Sequence, residues 1–385
     1  MPSRRDLLAA LGAGAALGVA GCAGRDCSPV TPRGIDWTQP GGDAGNTAAA
    51  PDQSLPARVG ERWRASIAPE GELLAFAGAA VVDGLVVTAG RDTEGGFHAS
   101  VGLRDGDAGP WYPISQRIAA PPVAVGTTTA LVHQTDAGSE LRVLDNGVEE
   151  WTRPLDGSGP PTPRAVEGTL FGGDASSAFA VDTASGEERW RRAFGDDREG
   201  GAVSFPPAVD DHATYVAVTS SSDRGIYALD RSTGDVEWSA AGPRAFRGPV
   251  RTGSILIVPV ERELLAFDAA SGERAWSTPT PADRRTFLPP AGADDRLVVS
   301  DGTSIHRLDQ ATGELGWRVD YETVGRPIVV GDAAVVDTES GVVAHELGDG
   351  SERWRLEDVS LLAPLGNGVL VRREDELVAC TACEN

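Results

Sequence analysis

A chain of 385 residues is long enough for two or three ordinary domains, and an apolar fraction of 41% allows a sizeable core. Acidic residues outnumber basic ones by 57 to 34, for a formal net charge of -23, and every basic side chain is arginine because the sequence contains no lysine. That balance excludes a nucleic-acid binder, which needs a basic patch for phosphate contacts. The scattered carboxylates (Asp210-Asp211, Asp294-Asp295) instead suit an extremely halophilic archaeon, in which they keep a protein hydrated in high salt.

In chain order, residues 1–21 read as an export signal. Arg4 and Arg5 stand directly before an apolar stretch, Leu7 to Ala20, that is too short for a comfortable membrane span. The pair resembles a twin-arginine signal, and Val19-Ala20-Gly21-Cys22 resembles a lipobox that makes Cys22 the lipidated N-terminus. Residues 22–55 are rich in Gly, Pro and Asp and read as a tether. Within them Asp36-Trp37-Thr38-Gln39, Asp43 and Asn46-Thr47 form an island expected to pack on the folded body.

From residue 56 onward the pattern is a repeat. Eight of the nine tryptophans, Trp63, Trp111, Trp151, Trp190, Trp238, Trp276, Trp317 and Trp354, recur with a mean step of about 42 residues, the length of one four-stranded blade. The context recurs as well: FAVDTASGEERW ends at Trp190, YALDRSTGDVEW at Trp238, LAFDAASGERAW at Trp276 and HRLDQATGELGW at Trp317. The copy at Trp151 is shortened and the copy at Trp111 degenerate. In each copy a short apolar strand runs into an Asp such as Asp230, whose carboxylate can accept the amides of the turn. A Gly such as Gly234 then allows positive φ before the next strand. With 48 Gly and 26 Pro, and no helical periodicity over three turns, the chain reads as all-β. Seven complete blades end at Trp111 through Trp354. The tail supplies three more strands, and the strand carrying Trp63 supplies the fourth from the other terminus. The expected fold is therefore an eight-bladed propeller of four-stranded antiparallel blades closed by the N- and C-terminal strands, with seven blades as the alternative.

The D-x-x-[ST]-G-x-x-x-W repeat resembles the quinoprotein (PQQ-like) propeller repeat over residues 56–385, and the lipidated N-terminus makes the whole similar to the BamB-like branch of that family, whose members are scaffolds without a cofactor. The enzymes of the family imply adjacent cysteines over the cofactor, Ca²⁺ ligands and often a haem-attachment motif. None is legible: no two cysteines are adjacent, and Cys380-Thr381-Ala382-Cys383 is followed by Glu384. The five histidines show no metal-ligand spacing. Asp105-Gly106-Asp107 lacks a Glu at the twelfth position of a calcium loop and reads as a turn. Cys380 and Cys383 can close on each other, or Cys27 can bond one of them, leaving one thiol over. The repeat tryptophans read as packing between blades rather than as a stacking platform.

The function expected on these grounds is non-catalytic: a monomeric lipoprotein scaffold at the extracytoplasmic face of the membrane, without cofactor or metal, binding protein partners through its loops or channel mouth. The alternatives are a PQQ- and Ca-dependent alcohol or sugar dehydrogenase, and a glycan or small-molecule sensor.

Overall fold

The computed structural model describes residues 27–383, apart from 32–36, 68–71, 94, 115–116, 119, 137, 158–160, 196–202, 220–221, 243, 246, 282–283, 285 and 294. The expected export signal, Arg4, Arg5, the expected lipidation site Cys22, and Asp36 lie outside these residues.

The apolar alternation of each repeat resolves into a four-stranded antiparallel sheet, and eight such sheets stand around one axis. Blade 1 begins at Leu73–Val82 and blade 4, a regular copy, comprises Ala208–Val209, Ala213–Val218, Gly225–Asp230 and Val236–Ala241. The second strand, Ala213–Val218, is buried at every position because neighbouring blades cover both its faces. The outermost strand, Val236–Ala241, alternates half-buried and exposed residues, as an edge facing water on one side must. The eighth blade is built from both ends of the chain: Ser360–Leu365, Gly368–Arg373 and Glu376–Ala382, then Val59–Ser66 as its outer strand. The eight-bladed expectation holds, and so does the terminus that closes it.

Contacts between blades are carried by one recurring device. The indole of Trp190 lies against Gly234 of the following blade's turn, which has φ +75°, so closely that a Cβ there would meet the ring at 2.6 Å. Trp63, Trp151, Trp238, Trp276 and Trp317 lie in the same way against Gly106, Gly186, Gly272, Gly313 and Gly350. Each of these indoles donates Nε1–H to a carbonyl of that turn, from Trp63 to Leu103 O through Trp317 to Leu347 O, at 2.8–3.0 Å. Trp354 donates at 3.1 Å to Pro56 O, on the segment that leads into the closing strand.

Trp111 is the exception. It stands five residues after its turn glycine, Gly106, where the other copies have four. In a strand that single step turns the side chain to the opposite face. Its Nε1 has no hydrogen-bond partner among the described residues, and Tyr112 does the work instead, packing on Gly147 and donating its hydroxyl to Asn146 O at 2.8 Å. All eight interfaces thus carry at least one aromatic-to-carbonyl bond, and the one between blades 4 and 5 carries a second from Tyr215 to Ala269 O.

Candidate functional site

A propeller leaves a channel where the innermost strands meet, and here residues 37–50 wind around it. Their path visits the blades in order. Val81 of blade 1 exchanges backbone bonds with Trp37 at 2.9 and 3.0 Å. The amides of Ala124, Val209, Arg251, Gly292 and Val329, on blades 2, 4, 5, 6 and 7, donate to the carbonyls of Thr38, Ala44, Gly45, Thr47 and Ala48 at 2.8–2.9 Å. On blade 3 the Ala165 amide donates to the side-chain Oε1 of Gln39 at 3.0 Å. Ala49–Ala50 ends the circuit as a parallel strand on Ile328–Val330. An innermost strand otherwise presents unpaired amides to the channel, and the lead-in satisfies one on each of seven blades. Blade 8 lies beyond its reach, and there the Leu361 amide donates to Asp337 Oδ1 at 2.6 Å.

Two arginines fix the ring from within. Arg164 is 1% exposed and donates to Pro207 O, Pro40 O and Asn46 Oδ1. Arg326 donates to the same Asn46 Oδ1 at 2.9 Å, to Asn46 O and to Pro290 O. Asn46, at φ +61°, returns a bond from Nδ2 to Pro249 O. Burial lowers the Arg164 guanidinium to about 10 and that of Arg326 to about 9, Arg164 adding to the latter and Asp43 opposing both shifts. Both remain charged at neutral pH.

Beneath the lead-in a cavity of about 220 Å³ remains, lined by Trp37, Ile328, Leu361 and Leu362, with Arg326 and Asp337 as its only ionisable residues among those described. It lies against blades 7, 8, 1 and 2, on the side away from the turns that carry the repeat glycines.

Residues 56–278 and 263–382 match the family described as outer membrane protein assembly factor BamB. The chain belongs to that family. BamB of Shewanella oneidensis is 26% identical over 272 residues, 65% of this chain and 66% of that protein. BamB of Moranella endobia is 24% identical over 237 residues, 58% of this chain and 60% of its own length. The chain thus spans about two thirds or less of the curated relatives it matches. The quinohemoprotein alcohol dehydrogenase ADH-IIG of Pseudomonas putida is 24% identical over 227 residues, 55% of this chain but 25% of that enzyme. Among solved structures, the quinohemoprotein alcohol dehydrogenase of Comamonas testosteroni superposes with a TM-score of 0.69 at 13% identity, covering 90% of this chain and 80% of that one. BamB of Moraxella catarrhalis gives 0.53 at 18% identity, covering 74% and 97%. At such identities the structures speak for the fold alone.

The dehydrogenase likeness raises a quinone cofactor, and the residues present do not fit one. The turn side of the channel is held by residues 37–50, bonded to seven blades. The cavity left, about 220 Å³, falls below the roughly 300–1,000 Å³ of sites for organic ligands of that size. Its one carboxylate, Asp337, has no second acid beside it in the lining, and no group of three His, Cys, Asp or Glu gathers among the described residues.

The repeat aspartates are turn residues: Asp182, Asp230, Asp268 and Asp309 each accept the amide three residues on, at 2.8–2.9 Å. Their carboxyls are held below the usual range, that of Asp182 first by the Arg189 guanidinium, that of Asp230 first by the Ser232 hydroxyl, and those of Asp268 and Asp309 first by these amides. Asp105 accepts the amide two residues on, that of Asp107. Cys27 bonds Cys383, and Cys380 is a buried thiol that burial pushes up to about 12. Arg164, Arg326, Tyr112 and Asp337 were not singled out by the sequence. For Tyr112 the signal was present in the five-residue step from Gly106.

Proposed function

We propose that the protein is a non-catalytic scaffold, exported through the Arg4-Arg5 signal and held at the extracytoplasmic face of the membrane by a lipid on Cys22, where it binds partner proteins as a single propeller. The acidic, lysine-free composition is that of a halophilic archaeal source. The observation that carries the reading is the lead-in ring: the turn side of the channel is taken up by the chain's own backbone, bonded to seven blades. The curated relatives named as assembly factors support the scaffold role. The exposed side chains on offer to a partner include Leu74 at one end of blade 1 and Val148 at the turn side of blade 2.

Calorimetric titration of the mature protein in high salt with PQQ and Ca²⁺ tests the non-catalytic half. No heat and no dye-linked alcohol oxidation are expected; saturation near one per chain with oxidation of an alcohol overturns it. A photo-crosslinker placed in turn at Leu74 and Val148 in native membranes tests the other half. A discrete adduct from one face is expected, and no adduct from either face sinks the scaffold reading. Cys22→Ser is expected to release the protein from the membrane fraction.

A further inference from the structure

The cavity beneath the lead-in holds two opposite charges that do not pair with each other. Asp337 spends Oδ1 on the Leu361 amide and makes no ion pair among the described residues. Arg326 spends its terminal nitrogens on Asn46 and Pro290 carbonyl and amide oxygens, makes no direct ion pair among the described residues although the Asp43 carboxylate acts on it from a distance, and keeps a buried Nε without an acceptor among them. Between them the lining is apolar: Trp37, Ile328, Leu361 and Leu362.

We propose that this cavity is a binding site for a small aliphatic zwitterion, its ammonium group on Asp337, its anionic group on the Arg326 side and its apolar body against Trp37, Ile328 and Leu361. A fixed dipole across an apolar hollow is the complement of a molecule that carries both charges. A simple cation gains Asp337 but meets Arg326, and a simple anion meets the reverse. At about 220 Å³ the hollow has the room of roughly seven waters, which suits a molecule the size of a free amino acid.

The carboxylate also has the mark of a group kept for something other than folding. Asparagine at 337 could accept the same Leu361 amide without placing a charge out of water. Burial instead lifts Asp337 to about 6, so folding disfavours the charged form relative to the unfolded chain while leaving it the main form at pH 7. Local choices that work against stability are expected where a site is present. The proposal stands whether or not the scaffold reading does.

The test is calorimetry on the intact mature chain with three probes of one skeleton: L-valine, isobutylamine and isovalerate, with L-proline and glycine betaine as further zwitterions. One zwitterion per chain is expected, bound at least tenfold more tightly than isobutylamine or isovalerate, and more weakly as the pH falls through about 6. In Asp337→Asn the binding is expected to drop at least tenfold while the melting temperature at pH 7 stays level or rises. Leu362→Trp, which fills the hollow and leaves the carboxylate, is expected to abolish binding as well. Equal affinity for L-valine and isobutylamine overturns the proposal, since the site then reads one charge. Heat from none of the zwitterions, or binding unchanged in either variant, overturns it also.

Discussion

The bond from an aromatic side chain to the next blade's turn is the smallest unit of this fold. Trp190 is 6% exposed, packs beside Phe171 and donates to Arg231 O, so Trp190→Ala removes both a large buried surface and a hydrogen bond. Chemical denaturation is expected to show a loss of about 3–5 kcal/mol. Tyr112→Phe removes the bond to Asn146 O and keeps the ring on Gly147, so its expected loss is about 0.5–1.5 kcal/mol. A loss in Tyr112→Phe as large as that in Trp190→Ala would show that the hydroxyl, rather than the packing, joins blades 1 and 2. The repeat tryptophans were legible because the Gly-to-Trp step is four residues in six copies. The handover to Tyr112 was not, because at a degenerate copy the eye aligns on the rarer residue, and only the strand's two-residue period shows that Trp111 faces the wrong side. Asn46 is the other residue on which much converges. Asn46→Ala leaves Arg164 and Arg326 buried with one acceptor fewer each, for an expected loss on the order of 3 kcal/mol in the same measurement.

At the scale of the element, the turn between the third and fourth strands of each blade is specified twice, by an aspartate that gathers amides and by a glycine that makes room for the indole. Gly234→Ala puts a Cβ 2.6 Å from Trp190 at a φ of +75°, so backbone strain alone is expected to cost about 1–3 kcal/mol and the displaced ring adds to it. The aspartates make the turns sensitive to acid. Asp182, in the turn, and Asp301, between the second and third strands of blade 6, are both held down to about 2, below the model-peptide value of 3.8. A carboxyl depressed in the folded state contributes stability that is complete above its unfolded pKa and is lost as the pH falls through the folded one. Stability is therefore expected to fall between about pH 4 and pH 2, measured as a drop in melting temperature that Asp301→Asn makes shallower. The lead-in belongs to this scale too. Composition marks 22–55 as a tether, and Trp37 with Asn46-Thr47 stand out from it, but nothing local says that one segment circles the channel. Its bonds go to groups on seven blades that lie from 44 to 281 residues away, from Trp37 with Val81 at the near end to Ala48 with Val329 at the far end. Such contacts have no period to be read by.

At the scale of the molecule, a ring is as stable as its closure, and this one is closed by two devices of different legibility. The pairing of Val59–Ser66 with Glu376–Ala382 followed from counting strands, because three at one end and one at the other leave a single solution. The disulfide did not follow, since Cys27, Cys380 and Cys383 allow more than one pairing. The strand itself decides it. Residues three apart in a strand are about 10 Å apart and face opposite sides, beyond the roughly 7 Å that a disulfide can span between Cα atoms. Cys380 thus points into the core, and Cys383, just past the strand, is left to Cys27 across 356 residues of chain. The bond pins the start of the lead-in to the closing blade, where Ser28 and Thr381 add backbone and hydroxyl bonds. In the chain-entropy account a loop this long restricts the unfolded state by on the order of 5 kcal/mol, more than any single tryptophan supplies. Cys27→Ser is therefore expected to lower the unfolding midpoint by at least as much as Trp190→Ala, and dithiothreitol to do the same to the native protein and nothing further to the variant. Equal midpoints with and without reductant would mean that strand pairing alone closes the ring and that the disulfide serves only to hold the lead-in at the channel mouth.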